Sequence, residues 1–158
     1  MNEITPLQIK EICSYINDQY DMFFSKQSGE IGADIFHEGY CFYYAELLKK
    51  LFSDGDMIYN DFHFLFRKDN NCFGARGNYS IVDFDTGSDP PTFFVLDEMF
   101  LETGVPSKYY LFKKDNQVED FFRRKKGENE KIESIINFLA TKTVEKFPFL
   151  VNQGSIKK

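Results

Sequence analysis

Cys41 and His63 are the two residues whose types and surroundings suit nucleophilic chemistry. Cys41 lies in Glu38-Gly39-Tyr40-Cys41-Phe42-Tyr43-Tyr44-Ala45-Glu46-Leu47-Leu48, where a glycine gives way to apolar residues at helical spacing. A thiol there opens a helix, whose N-terminus carries about half a positive charge and favours thiolate over thiol. His63 lies in Phe62-His63-Phe64-Leu65-Phe66, an alternating, strand-like run of aromatics. A thiol and an imidazole brought within hydrogen-bond reach can attack a carbonyl carbon, the ring taking and later returning the proton. Such a site also needs a group to orient the ring and donors for the oxyanion.

The other candidates are plainer. His37, four residues before Cys41, competes as a base but reads as a surface histidine in a loop. The three cysteines and two histidines are scattered, with no metal-ligand spacing and no call for a cofactor. Gly74-Ala75-Arg76-Gly77 lacks the Lys-Ser/Thr of a phosphate loop and reads as a bend between strands. Arg123-Arg124-Lys125-Lys126 is flanked by Glu119, Asp120, Glu128 and Glu130 and reads as a solvated helix end.

The elements that must hold the pair follow from periodicity. Thr5-Pro6 is an N-cap and N1 proline, opening a first helix to about Ser25. Residues Lys26 to His37 read as a loop. A second helix spans about Gly39 to Phe52 and stops at Ser53-Asp54-Gly55-Asp56. The period then falls to two, giving strands at Met57–Tyr59, Phe62–Arg67, Asn71–Phe73 and Tyr79–Phe84, with a hairpin turn at Asp69-Asn70-Asn71. Asp85 to Pro91 reads as a loop, Thr92 to Glu102 as a helix closed by Gly104 or, second, as a buried strand-like run, and Tyr109 to Phe112 as a further strand. A last helix runs from Glu128 to about Lys146, with Ile132, Ile135, Ile136, Leu139 and Val144 inward.

Taken together, Gly39 to Leu48, His63 to Arg67 and Cys72-Phe73-Gly74-Ala75-Arg76-Gly77 resemble the small papain-like or transglutaminase-like proteins of bacteria and phages. The resemblance covers about a quarter of the chain. It implies a papain-like α+β fold, with the Cys-bearing helix on a small antiparallel sheet, Cys41 as nucleophile and His63 as general base. It also implies an orienting Asp where this chain has Gly74. A missing orienter leaves the ring tautomer unset, which can lower rates by orders of magnitude. Two outcomes are open. Asp83, or second Asp85, takes over the ring, since alternation puts both on one strand face with Ile81; or catalysis is lost and the fold serves binding.

Composition sets the outer bounds. The 158 residues are 42 % hydrophobic, enough for one domain over residues 1–158 with a real core. The 19 Phe and 9 Tyr read chiefly as packing. No apolar run reaches the about 18 residues of a membrane span, and no signal peptide is evident. Three cysteines without a pairing pattern read as free thiols in a reducing cytoplasm. A net charge of −6 argues against direct nucleic-acid binding. The leading expectation is a cysteine hydrolase or acyl-transferase acting on an amide, thioester or isopeptide bond of a protein or peptide. The alternative is a silent acidic binding protein, such as a phage or mobile-element inhibitor of a host nucleic-acid-binding enzyme.

Overall fold

The computed structural model describes residues 4–113 and 126–152. Helix α1 (Pro6–Phe23) starts as expected. Thr5 accepts from the Gln8 amide while the Gln8 side chain accepts from Thr5 N–H, a capping box with proline at N1. Its face of Ile9, Ile12, Cys13, Ile16 and Tyr20 is buried. The stretch read as a loop instead contains two short helices, α2 (Ser25–Ser28) and α3 (Gly32–Glu38). Their lengths hide any periodicity, and tertiary packing of Phe36 against Tyr20 and Tyr44 holds α3.

Helix α4 (Cys41–Leu51) begins at the cysteine, and Cys41, Phe42, Tyr43, Tyr44, Ala45, Leu47, Leu48 and Leu51 are all buried. A helix buried on nearly every side must be enclosed. Here α3, the long helix α6 (Lys126–Lys146) and the first strands of the sheet pack around it, and the Tyr44 hydroxyl donates to the Cys13 carbonyl of α1. Lys49 and Lys50 fall in its last turn, where cations offset the dipole, and Lys49 Nζ donates to the carbonyls of Ser53 and Gly55. A final 3-10 turn spans Pro148–Asn152.

The sheet is a closed antiparallel barrel of β1 (Asp56–Tyr59), β2 (Phe64–Lys68), β3 (Asn71–Gly74), β4 (Gly77–Asp85), β5 (Thr92–Leu96) and β6 (Ser107–Leu111). This overturns the papain-like α+β expectation of a Cys-bearing helix on a small antiparallel sheet. The reason lies in Thr92 to Glu102. Its first half is β5 and only Glu98–Thr103 forms a helix, α5. With β5 in place, β6 turns back onto β1, pairing Ile58 with Leu111 and Tyr59 with Tyr110, and the sheet is left with no open edge.

Alternation sorts the side chains. Ile58, Leu65, Cys72, Ile81, Phe93, Val95 and Tyr109 form one buried cluster, the barrel filling. Met57, Phe64, Phe66 and Phe73 belong to the other, larger cluster shared with α1, α4 and α6. Among the described residues no helix is long and apolar enough to cross a membrane. The basic cluster from Arg123 lies outside the described residues, apart from the backbone of Lys126.

Candidate functional site

One end of the barrel gathers the polar chemistry. His63 directly precedes β2. A two-residue bend, Ala75-Arg76, joins β3 to β4, Asp97 follows β5, and Ser107 opens β6. Antiparallel pairing puts these four points at corresponding strand ends. Helix α4 is brought to the same region: Phe42, next to Cys41, packs edge-on against Phe64, next to His63, with ring centroids 5.0 Å apart.

Asp97 is the structural centre. It caps α5, its Oδ1 accepting from the Met99 amide at 3.1 Å and from Ser107 Oγ at 2.7 Å, while Oδ2 accepts from the Tyr109 hydroxyl at 2.8 Å. Its residue exposure is 6 %, so three hydrogen bonds replace the water its carboxylate has lost. The Tyr109 hydroxyl is pushed well above the usual tyrosine range, by burial first and by the Asp97 charge second. Glu98 beside it accepts from the Tyr79 hydroxyl at 3.1 Å. It also lies 3.3 Å from His37 Nε2 and 3.5 Å from Arg76, whose guanidinium reaches Asp34 at 3.1 Å.

His63 sits over this network. Its ring lies 4.3 Å, centroid to centroid, from the His37 ring, and the His37 backbone acts on it electrostatically. Burial lowers the pKa of His63 from its ordinary 6.5; Asp97, Glu98 and the His37 backbone pull the other way but do not prevail. The imidazole is therefore held towards its neutral form. Asn60 shapes the approach: its Oδ1 accepts from the amides of Phe62 and His63, a turn that fixes the loop entering β2.

The remaining expected site residues lie elsewhere. Asp83 and Asp85 are exposed near the end of β4, which runs parallel in direction to β2, whereas His63 precedes the start of β2. Each carboxylate accepts from a nearby amide, Asp83 from Phe84 and Asp85 from Gly87, both at 2.9 Å. The alternation that grouped them with Ile81 is also broken. Ile81 pairs with Val95 but Asp83 pairs with Phe94, so Val82 is a bulge and the face reverses after it. The carboxylates that act on His63 are instead Asp97 and Glu98. A side chain at Gly74 would place its Cβ 2.9 Å from Leu65 Cδ2, against the barrel filling.

Cys41 is 8 % exposed and belongs to the larger buried cluster. Cys13 and Cys72 are also buried, and burial pushes each thiol up to about 12. Beside the network a cleft of about 440 Å³ opens between the 60–63 loop and the α5–β6 segment; its lining includes His63 and Asp97 but not Cys41. No grouping of His, Cys, Asp and Glu suited to a metal ion occurs among the described residues. Asp97 and Glu98 went unread because Thr92 to Glu102 reads as a single element, helix first or strand, rather than as a strand followed by a capped helix. The signal was there: an N-cap Asp, an acidic first turn and a closing Gly104, which adopts a left-handed φ of 73°.

No family model, curated protein or solved structure matches this chain.

Proposed function

We infer that the protein is a cysteine hydrolase or acyl-transferase acting on an amide, thioester or isopeptide bond, with Cys41 as nucleophile and His63 as base. The observation that carries the reading is placement: Phe42, next to Cys41, packs on Phe64, next to His63, at the barrel end where burial also lowers the His63 pKa. In this reading the His37 ring, packed on His63, steadies the imidazole in place of a group at position 74, and no carboxylate at position 83 or 85 is required. In the reaction the Cys41 proton passes to His63 as sulfur bonds to the carbonyl carbon. The protonated ring then gives that proton to the leaving nitrogen, sulfur or oxygen. Water or an amine attacks the thioester with its proton taken by His63, and the thiol is restored.

Acylation tests this. Incubation with p-nitrophenyl acetate should leave an acetyl group on the Cys41 peptide, seen by mass spectrometry. His63→Ala should slow its formation by about 10²-fold or more. Acetylation spread over lysines, or unchanged by His63→Ala, refutes the assignment.

A second reading, an acidic binding protein without catalysis, is favoured by the 8 % exposure of Cys41 and by the exposed apolar side chains of Phe62, Met99, Leu101 and Val105 on one side of the barrel. A stable complex with an unaltered partner, formed equally well by Cys41→Ser, would support it.

A further inference from the structure

We propose that α5 is a lid over the His63 end of the barrel, held shut by Glu98 and opening as a unit to widen the cleft onto the imidazole. The lid does not depend on the catalytic reading: it would gate His63 whether or not Cys41 reacts. Helix α5 has six residues, and none of them is buried. A helix so short does not persist by its own hydrogen bonds, and most helices are held by a packed apolar face. This one lacks such a face. Met99 and Leu101 are exposed and only Phe100 is half-buried.

What ties the helix down is polar and lies in its first turn. Glu98 accepts from the Tyr79 hydroxyl of β4 at 3.1 Å, and stands 3.3 Å from His37 Nε2 of α3 and 3.5 Å from the Arg76 guanidinium of the β3–β4 bend. One carboxylate thus joins α5 to three other parts of the chain. Its side chain is 41 % exposed, so each contact is weak by itself and the closed position rests on their sum. The two ends of the segment suit a hinge. Asp97 anchors the near end, its carboxylate held by Ser107 and Tyr109 of β6. At the far end Gly104, in the left-handed region, lets the backbone turn without a Cβ clash. Motion between these points bears on His63. The cleft has the 60–63 loop on one side, and Met99, Thr103 and Val105 stand on the other. Displacing α5 moves that wall away from the imidazole and takes the Glu98 charge from beside it. Asn60, Asp61, Lys108 and Tyr110 lie outside the moving segment, so the change is confined to the α5 side.

Native-state hydrogen exchange on the full-length protein, followed by NMR, tests the proposal. The reporters are the Phe100 and Gly104 amides, which donate to the Asp97 and Phe100 carbonyls. In the unaltered protein both should exchange at least about tenfold faster than the paired amides of β2 and β5, because the lid opens without the barrel. Glu98→Ala should speed them a further three- to tenfold, roughly, with the β2 and β5 amides unchanged. Glu102→Ala, at an exposed position of the same helix, should leave them as they are. Carbethoxylation of His63 by diethyl pyrocarbonate, read by mass spectrometry of its peptide, should quicken with Glu98→Ala in the same proportion. Glu98→Gln, which keeps an acceptor for Tyr79 but drops the charge, should give a smaller change in the same direction and serves if Glu98→Ala does not fold. Exchange of Phe100 and Gly104 at the rate of the barrel amides, or acceleration shared equally by the barrel, would show that α5 opens only with the whole domain and overturn the lid. Faster α5 exchange with unchanged His63 modification would show that its motion does not uncover the imidazole, which overturns the gate.

Discussion

Replacing Asp97 with Ala should remove more stability than any surface substitution in this chain, because one carboxylate serves three donors. Loss of the α5 cap costs about 1 kcal/mol. Tyr109 is 0 % exposed, so its hydroxyl is left without an acceptor and away from water, at about 1–3 kcal/mol. Ser107 is half-buried and can turn to solvent, adding less. Relief of the carboxylate's own burial works in the opposite direction. The net expectation is about 2–4 kcal/mol. With a urea m-value of about 2 kcal/mol/M for a chain of this size, the midpoint should fall by about 1–2 M, read by far-ultraviolet circular dichroism. Tyr109→Phe alone should cost about 1 kcal/mol. The double variant should be less destabilised than the sum of the two, by about 1 kcal/mol or more, because the second change removes the orphaned hydroxyl. Strict additivity, or a loss below about 1 kcal/mol for Asp97→Ala, would show that the network does not hold this end of the barrel.

Three other outcomes can be checked with the same protein. Gly55→Ala should destabilise by about 2–4 kcal/mol in urea melts, since its Cβ would stand 2.1 Å from Phe66 Cζ and 2.7 Å from the Arg67 carbonyl, and backbone cannot yield as a side-chain tip can. Brief iodoacetamide labelling of the folded protein at pH 7.5 should leave Cys13 and Cys72 unmodified, their buried thiols being pushed up to about 12; modification of either at the rate of a free thiol would contradict their burial. His63 has a folded-state pKa below its unfolded 6.5, so below that pH the unfolded chain binds more protons than the folded one. Its contribution to stability is therefore complete above about 6.5 and lost as pH falls towards the folded pKa. Urea midpoints measured from pH 7.5 down to 5 should decline, and His63→Gln should flatten the part of the slope just below 6.5.

Much of the architecture is local and was legible in the residues. Thr5-Pro6 with Gln8 specifies the start of α1 through bonds spanning three residues. The shift from period 3.6 to period 2 after Phe52 marks the passage from α4 to β1, and the Asp69-Asn70 turn follows from side chains that tolerate a positive φ, 56° at Asp69. The Cys41 helix and the strand after His63 are likewise written in their apolar spacing. What spacing cannot show is a relation between distant segments. Thr92 to Glu102 is apolar enough for either helix or strand, and only pairing with β4 and β6 makes its first half β5. That one choice closes the barrel. The extra residue at Val82 reverses the face of Asp83 and Asp85, an effect visible only against the partner strand. The partners of His63 were decided in the same way. Its ring packs on the His37 ring and feels the Asp97 and Glu98 charges because α3, β5 and α5 converge on one barrel end, although in sequence these residues lie 26 to 35 positions away. The sequence carries the thiol and the imidazole; long-range strand pairing and packing determine which groups surround them.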